Sequence, residues 1–151
     1  MPSPLLEAEI ETSAAADKVW SIVSDLPRMS EWSPRTRKTV ILGGQVREGA
    51  LAFNINKKGK LYWPTRTRIV TVEPNEQIAF KVLDNNSVWS FTLEPTDSGT
   101  RIIQRREAPN GTSAVSRTLV KLFLGGNEDF EADLVAGMRA TLERIKAEAE
   151  R

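Results

Sequence analysis

The chain contains no histidine and no cysteine. Without histidine there is no imidazole base, no Ser-His-Asp triad and no histidine-held zinc or non-haem iron. Without cysteine there is no disulfide framework, no thiol nucleophile and no thiolate metal site, a composition expected of a cytoplasmic protein. Tyrosine occurs once, at Tyr62, so one phenol is available as a weak acid. No apolar run approaches the roughly eighteen residues of a membrane span. With 21 basic and 20 acidic residues the net charge is +1, too small a field to gather nucleic acid or an anionic membrane. Met1-Pro2-Ser3-Pro4-Leu5-Leu6-Glu7 has neither a charged leader nor a long apolar core, so no signal peptide is expected. Chemistry is left to carboxylates, lysine, arginine, hydroxyls and shape. No cofactor and no metal site are expected.

What is present is an ordinary globular composition, 40% apolar and 27% charged over 151 residues. That length predicts one domain, 1–151, burying about two thirds of its unfolded surface. Leu6, Ala8 and Ile10 alternate with glutamates, the pattern of a half-buried strand. Ser13 is a candidate N-cap for a helix over Ala14 to Ser24, which Asp25-Leu26-Pro27 breaks before a short helix or turn from Pro27 to Trp32. From Thr36 to Ala108 the period is two. Strands are predicted near Arg37–Leu42, Ala50–Asn56, Lys60–Val72, Gln77–Leu83, Ser87–Glu94 and Thr100–Ala108, with hairpin-length turns between them. Val115 to Leu124 carries a short apolar stripe between glycine-containing turns, suited either to a gate or to a fixed cover. The long closing helix has Phe130, Leu134, Met138, Leu142, Ile145 and Ala149 along one face. Only the sheet before it can bury that stripe.

Particular residues accompany this order. They are Ser13-Ala14-Ala15-Ala16-Asp17-Lys18-Val19-Trp20, Asp25-Leu26-Pro27 and Glu31-Trp32-Ser33-Pro34, then Val72-Glu73-Pro74 leading to Ile78-Ala79-Phe80, Trp89-Ser90-Phe91-Thr92-Leu93 and Gly99-Thr100-Arg101. In them the chain resembles the START and pollen-allergen-like helix-grip superfamily (SRPBCC), in its polyketide cyclase/dehydrase-like branch. The resemblance implies an α+β helix-grip fold. A curved seven-stranded antiparallel sheet wraps a long C-terminal helix, two short helices follow the first strand, and an apolar cavity lies between sheet and helix. It also implies a lipid, sterol or polyketide-like ligand.

Alternation assigns residues to that cavity. Leu51, Phe53 and Ile55 share a face, as do Ile78, Phe80 and Val82, and Trp89, Phe91 and Leu93. The strand from Lys60 conflicts with itself, since Ile69 and Val70 are both apolar. With Trp63 and Ile69 inward, Thr65 and Thr67 give the cavity two hydroxyls and Arg66 and Arg68 are solvated. With Val70 and Val72 inward and no bulge, both arginines enter. The first is favoured, because buried unpaired arginine is costly. The expected ligand-binding set is Trp32, Phe53, Trp63, Thr65, Thr67, Trp89, Phe91, Gln104, Phe130, Leu134 and Met138. Trp32 serves equally well as a hydrophobic plug, and Gly137 either as room for a ligand or as a close-packing point. Lys57, Lys58 and Lys60 read as a solvated turn that protects a sheet edge, or as an anion patch.

The leading expectation is a binding protein for an apolar small molecule, with no nucleic-acid partner, no membrane span and at most a weak homodimer. An aromatase-type cyclase would need a proton acceptor and a donor. Only Asp84, Glu107, Arg66, Arg68 or Tyr62 offer themselves, and alternation places none of them clearly inward. A ligand-responsive regulatory module is the third class.

Overall fold

Short connections leave each strand from Thr36 onward little choice but to pair with the next, and the computed structural model shows that meander. It describes residues 5–84, 86–108 and 127–151, with side chains from residue 131 in the last segment. The elements are β1 (Leu5–Thr12), α1 (Ala16–Val23), a 3₁₀ turn (Leu26–Arg28), α2 (Met29–Trp32), β2 (Thr36–Ile41), β3 (Leu51–Lys58), β4 (Leu61–Glu73), β5 (Gln77–Val82), β6 (Val88–Thr96), β7 (Gly99–Glu107) and α3 (Asn127–Ala149). The sheet has seven antiparallel strands in the order β1-β7-β6-β5-β4-β3-β2. This is the helix-grip architecture, and each predicted strand lies within two residues of its observed limits. The gate segment Val115 to Leu124 falls outside the described residues.

The helix does not lie centrally on the sheet. Its main contacts are with β1 and α1, then α2 and β7. Met138, Leu142, Ile145 and Ala149 are buried there against Val19, Ile22, Phe91 and Ile102. The C-terminal end of the chain is pinned beside it. Thr12 Oγ1 donates to Glu150 Oε2 at 2.7 Å, the Ser13 amide reaches the same oxygen at 3.3 Å, and Arg28 reaches Glu148 at 3.1 Å. These bonds correct the expected cap. Ser13 is held at the turn out of β1, α1 begins after Ala15, and no side chain caps it.

A β-bulge settles the contradictory strand. The β4–β5 register shifts between Ile69 and Thr71, so Ile69 lies opposite Phe80 and Val72 opposite Ile78. Val70, the extra residue, is turned out and 41% exposed. Both Ile69 and Val72 therefore face the core, while Arg66 and Arg68 stay exposed. Strand β3 runs against expectation. Ala52, Asn54 and Asn56 face inward, and Phe53 and Ile55 lie on the outer face, 44% and 40% exposed. Its register with β4 sets this, because Asn54 stands opposite Thr65 and Asn56 opposite Trp63.

Candidate functional site

Because α3 rests mainly on β1, with fewer contacts to β7, no described helix packs closely on the inner face of β3 to β5. The space left is a cavity of about 510 Å³. One wall is the β3–β4 hairpin, with Asn54, Asn56, Trp63, Thr65 and Thr67. The second is β5 and β6, with Phe80, Val82 and Trp89. Strand β7 adds Gln104 and Arg106, and Leu134, Gly137, Met138 and Thr141 of α3 close it from above.

The hairpin wall is polar and internally bonded. Thr39 Oγ1 donates to Asn54 Oδ1 at 2.9 Å, and Asn54 Nδ2 reaches the Thr67 hydroxyl at a long 3.5 Å. Asn56 Nδ2 donates to the Thr65 hydroxyl at 3.0 Å and to the Trp63 carbonyl at 3.3 Å. Further along the same sheet, Phe80 on β5 and Trp89 on β6 line the cavity too. The expected apolar cavity thus carries a strip of amides and hydroxyls beside aromatic rings.

Charge is gathered at two places. At the exposed end, Asp133 accepts from Arg35 at 2.8 Å and from Lys58 at 3.0 Å. Lys58, then Arg35, holds the Asp133 carboxyl below the usual range. The Arg35 guanidinium also lies 5.9 Å from the Trp63 ring centre, and Lys57 lies 5.2 Å from that of Tyr62. Two of the hairpin-tip lysines, Lys57 and Lys58, therefore line the cavity's exposed end rather than forming only a solvated turn. At the inner wall Arg106 and Glu131 pair at 2.9 Å. Among the described residues the cavity's carboxylates, Glu131 and Asp133, are both ion-paired. Among the described residues no cluster of three acidic side chains stands where it could hold a metal.

Of the residues expected at the site, the structure brings Trp63, Thr65, Thr67, Trp89, Gln104, Leu134 and Met138 to the cavity. Phe53 is on the outer face. Phe91, 1% exposed, belongs to the core and is not part of the lining. Trp32 is likewise a plug, 6% exposed within the core, with the Arg28 guanidinium 4.6 Å from its ring centre. The Phe130 side chain lies outside the described residues. The acid–base candidates are elsewhere: Asp84 binds Arg66 on the exposed surface, and Glu107, Arg68 and Tyr62 are exposed. Asn54, Asn56, Arg106 and Glu131 were not anticipated. Counting back across the Lys57-Lys58-Gly59-Lys60 turn from an inward Thr65 would have found both asparagines.

Fold and site together define a helix-grip protein with an internal, mixed-polarity cavity. The chain belongs to the polyketide cyclase/dehydrase and lipid transport family, whose model matches residues 4–150. Solved structures agree in fold. The Zhui aromatase/cyclase from Streptomyces sp. R1128 is 20% identical with a TM-score of 0.76, over 97% of this chain and 93% of that one. The polyketide-cyclase-like protein Cgl2372 from Corynebacterium glutamicum is 27% identical with a TM-score of 0.66, over 97% and 91%. The di-domain aromatase/cyclase StfQ of the steffimycin biosynthetic pathway is 18% identical with a TM-score of 0.76, over 97% of this chain. This chain spans 50% of the length of StfQ. Among curated protein sequences none matches. No helix among the described residues is long and apolar enough to cross a membrane.

Proposed function

We propose that the protein binds a flat, oxygenated, polyketide-like small molecule in the cavity between α3 and the sheet. The observation that carries this reading is that the strip Asn54, Asn56, Thr65 and Thr67 shares the cavity lining with Trp89 and Phe80. A saturated acyl chain or a sterol nucleus would dry this strip and offer nothing to the lone pairs that its mutual hydrogen bonds leave open, at about 1–3 kcal/mol for each polar atom left unsatisfied. A planar molecule edged with carbonyls and hydroxyls suits both parts of the lining, its rings to the aromatic residues and its oxygens to the amides and hydroxyls. The volume supports a ligand of that size, since small-molecule cavities run from about 300 to 1,000 Å³.

Tryptophan fluorescence tests this, because Trp63 and Trp89 both line the site. Anthraquinone should quench it saturably, and palmitate should bind at least about tenfold more weakly. Equal or tighter palmitate binding overturns the reading. A cyclase is the second reading. It would route acid–base work through Arg106 and Glu131, the buried ion pair on the cavity wall. The Glu131 carboxylate is already committed to the Arg106 guanidinium at 2.9 Å, which is why binding comes first.

A further inference from the structure

We propose that Gln104 is a specificity-determining residue whose side-chain carbonyl accepts a hydrogen bond from a neutral hydroxyl of the ligand in the cavity. This rests on the binding function proposed above and names the group the ligand must carry. Gln104 lies on the inner face of β7 and is 6% exposed, opposite Phe91 on β6 and Ala8 on β1. Its Oε1 has no hydrogen-bond partner among the described residues, yet the residue lines the cavity. The other interior amides differ: Asn54 and Asn56 are both engaged with threonine hydroxyls.

An amide oxygen in an apolar corner is expensive to leave unmade, and the unmet partner sets what the site selects. The missing group is a donor, because an amide carbonyl only accepts. It is also uncharged. Two residues along the same face of β7, Arg106 already holds the Glu131 carboxylate, so a second anion there would meet like charge. A phenol, enol or alcohol satisfies both conditions. A carboxylate or an ether does not.

The test compares β-hydroxyanthraquinone with its methyl ether, at a pH that keeps the phenol neutral, against wild type and Gln104→Leu. Wild type should bind the phenol at least about tenfold more tightly than the ether, the difference expected of one well-placed hydrogen bond. In Gln104→Leu the preference should fall below about threefold while ether binding is retained. Gln104→Met serves if the leucine variant misfolds. Equal binding of the two compounds by wild type overturns the proposal and leaves the cavity reading standing. So does a preference that survives the substitution. Failure of the unsubstituted anthraquinone to bind removes both. Ligand-free Gln104→Leu should melt at or above wild type, and a clearly lower Tm would make Gln104 a structural hydrogen-bonding residue and refute the inference.

Discussion

The Arg106 guanidinium and the Glu131 carboxylate meet at 2.9 Å, their side chains 5% and 14% exposed, and so join β7 to α3 through the wall of the cavity. Such a pair gains little over hydrophobic neighbours of the same volume, but removing one partner leaves the other dehydrated. Glu131→Ala should therefore cost about 3 kcal/mol in urea denaturation. The double substitution Arg106→Met with Glu131→Leu should recover most of the loss. A single variant as stable as wild type would show that water reaches the guanidinium.

Gly137 sits inside α3 on the cavity lining. Among the described residues a Cβ built there would meet only the Pro34 ring, at an ordinary 3.6 Å. Close packing against the sheet therefore does not require glycine here. Gly137→Ala should raise stability by about 1 kcal/mol, the difference in helix propensity. Thermal or chemical denaturation reads this directly, and a destabilised variant would contradict the geometry.

The corrected face of β3 yields opposite expectations for adjacent residues. Phe53→Thr removes an exposed ring from the outer face and should leave anthraquinone binding within about twofold of wild type, with stability changed by under about 0.5 kcal/mol. Asn54→Ala takes partners from the hydroxyls of Thr39 and Thr67, which are 7% and 4% exposed. It should cost about 1–3 kcal/mol and weaken the ligand. Titrating both variants separates the two faces of the strand.

Acid should expose the contribution of Asp133. Its carboxyl is held below the usual value by Lys58 and Arg35 in the folded state, so its contribution is fully present above the unfolded value of about 3.9 and is lost as pH falls through the folded one. The side chain is 43% exposed, so the contribution is small and screened by salt. Stability curves below about pH 4 should be shallower for Asp133→Asn than for wild type, and the two should converge at high salt. Identical acid limbs at low salt would exclude the carboxylate.

The element order was legible because strands and helix differ in period, and turn residues punctuate the strands. The site was legible only in part. Alternation tells which side chains share a face, never which face is inside, and on β3 it misled because the apolar set Leu51, Phe53 and Ile55 sits outward while two asparagines turn in. A core would not accept Asn54 and Asn56, whereas a cavity does, so hydrophobicity was the wrong guide there. The doubt over Ile69 and Val72 vanished with a single inserted residue, Val70, whose bulge no period-two count contains. Buried charge escaped notice for a related reason. Arg106 reads as an ordinary polar position on a strand until Glu131, 25 positions later, is folded over it.

The polar wall of the cavity has one further property. All five of its inward residues, Asn54, Asn56, Trp63, Thr65 and Thr67, come from a single hairpin, while the hydrophobic framework that secures α3 lies on β1, β7 and α1. The polar hairpin wall and most of the support of α3 thus lie in different stretches of chain, while β7, which carries Gln104, serves both the cavity and that support. A compact cassette of alternating codons could be exchanged to retune ligand choice while the scaffold keeps its shape, which makes this hairpin the natural place for diversification, whether by evolution or in a library.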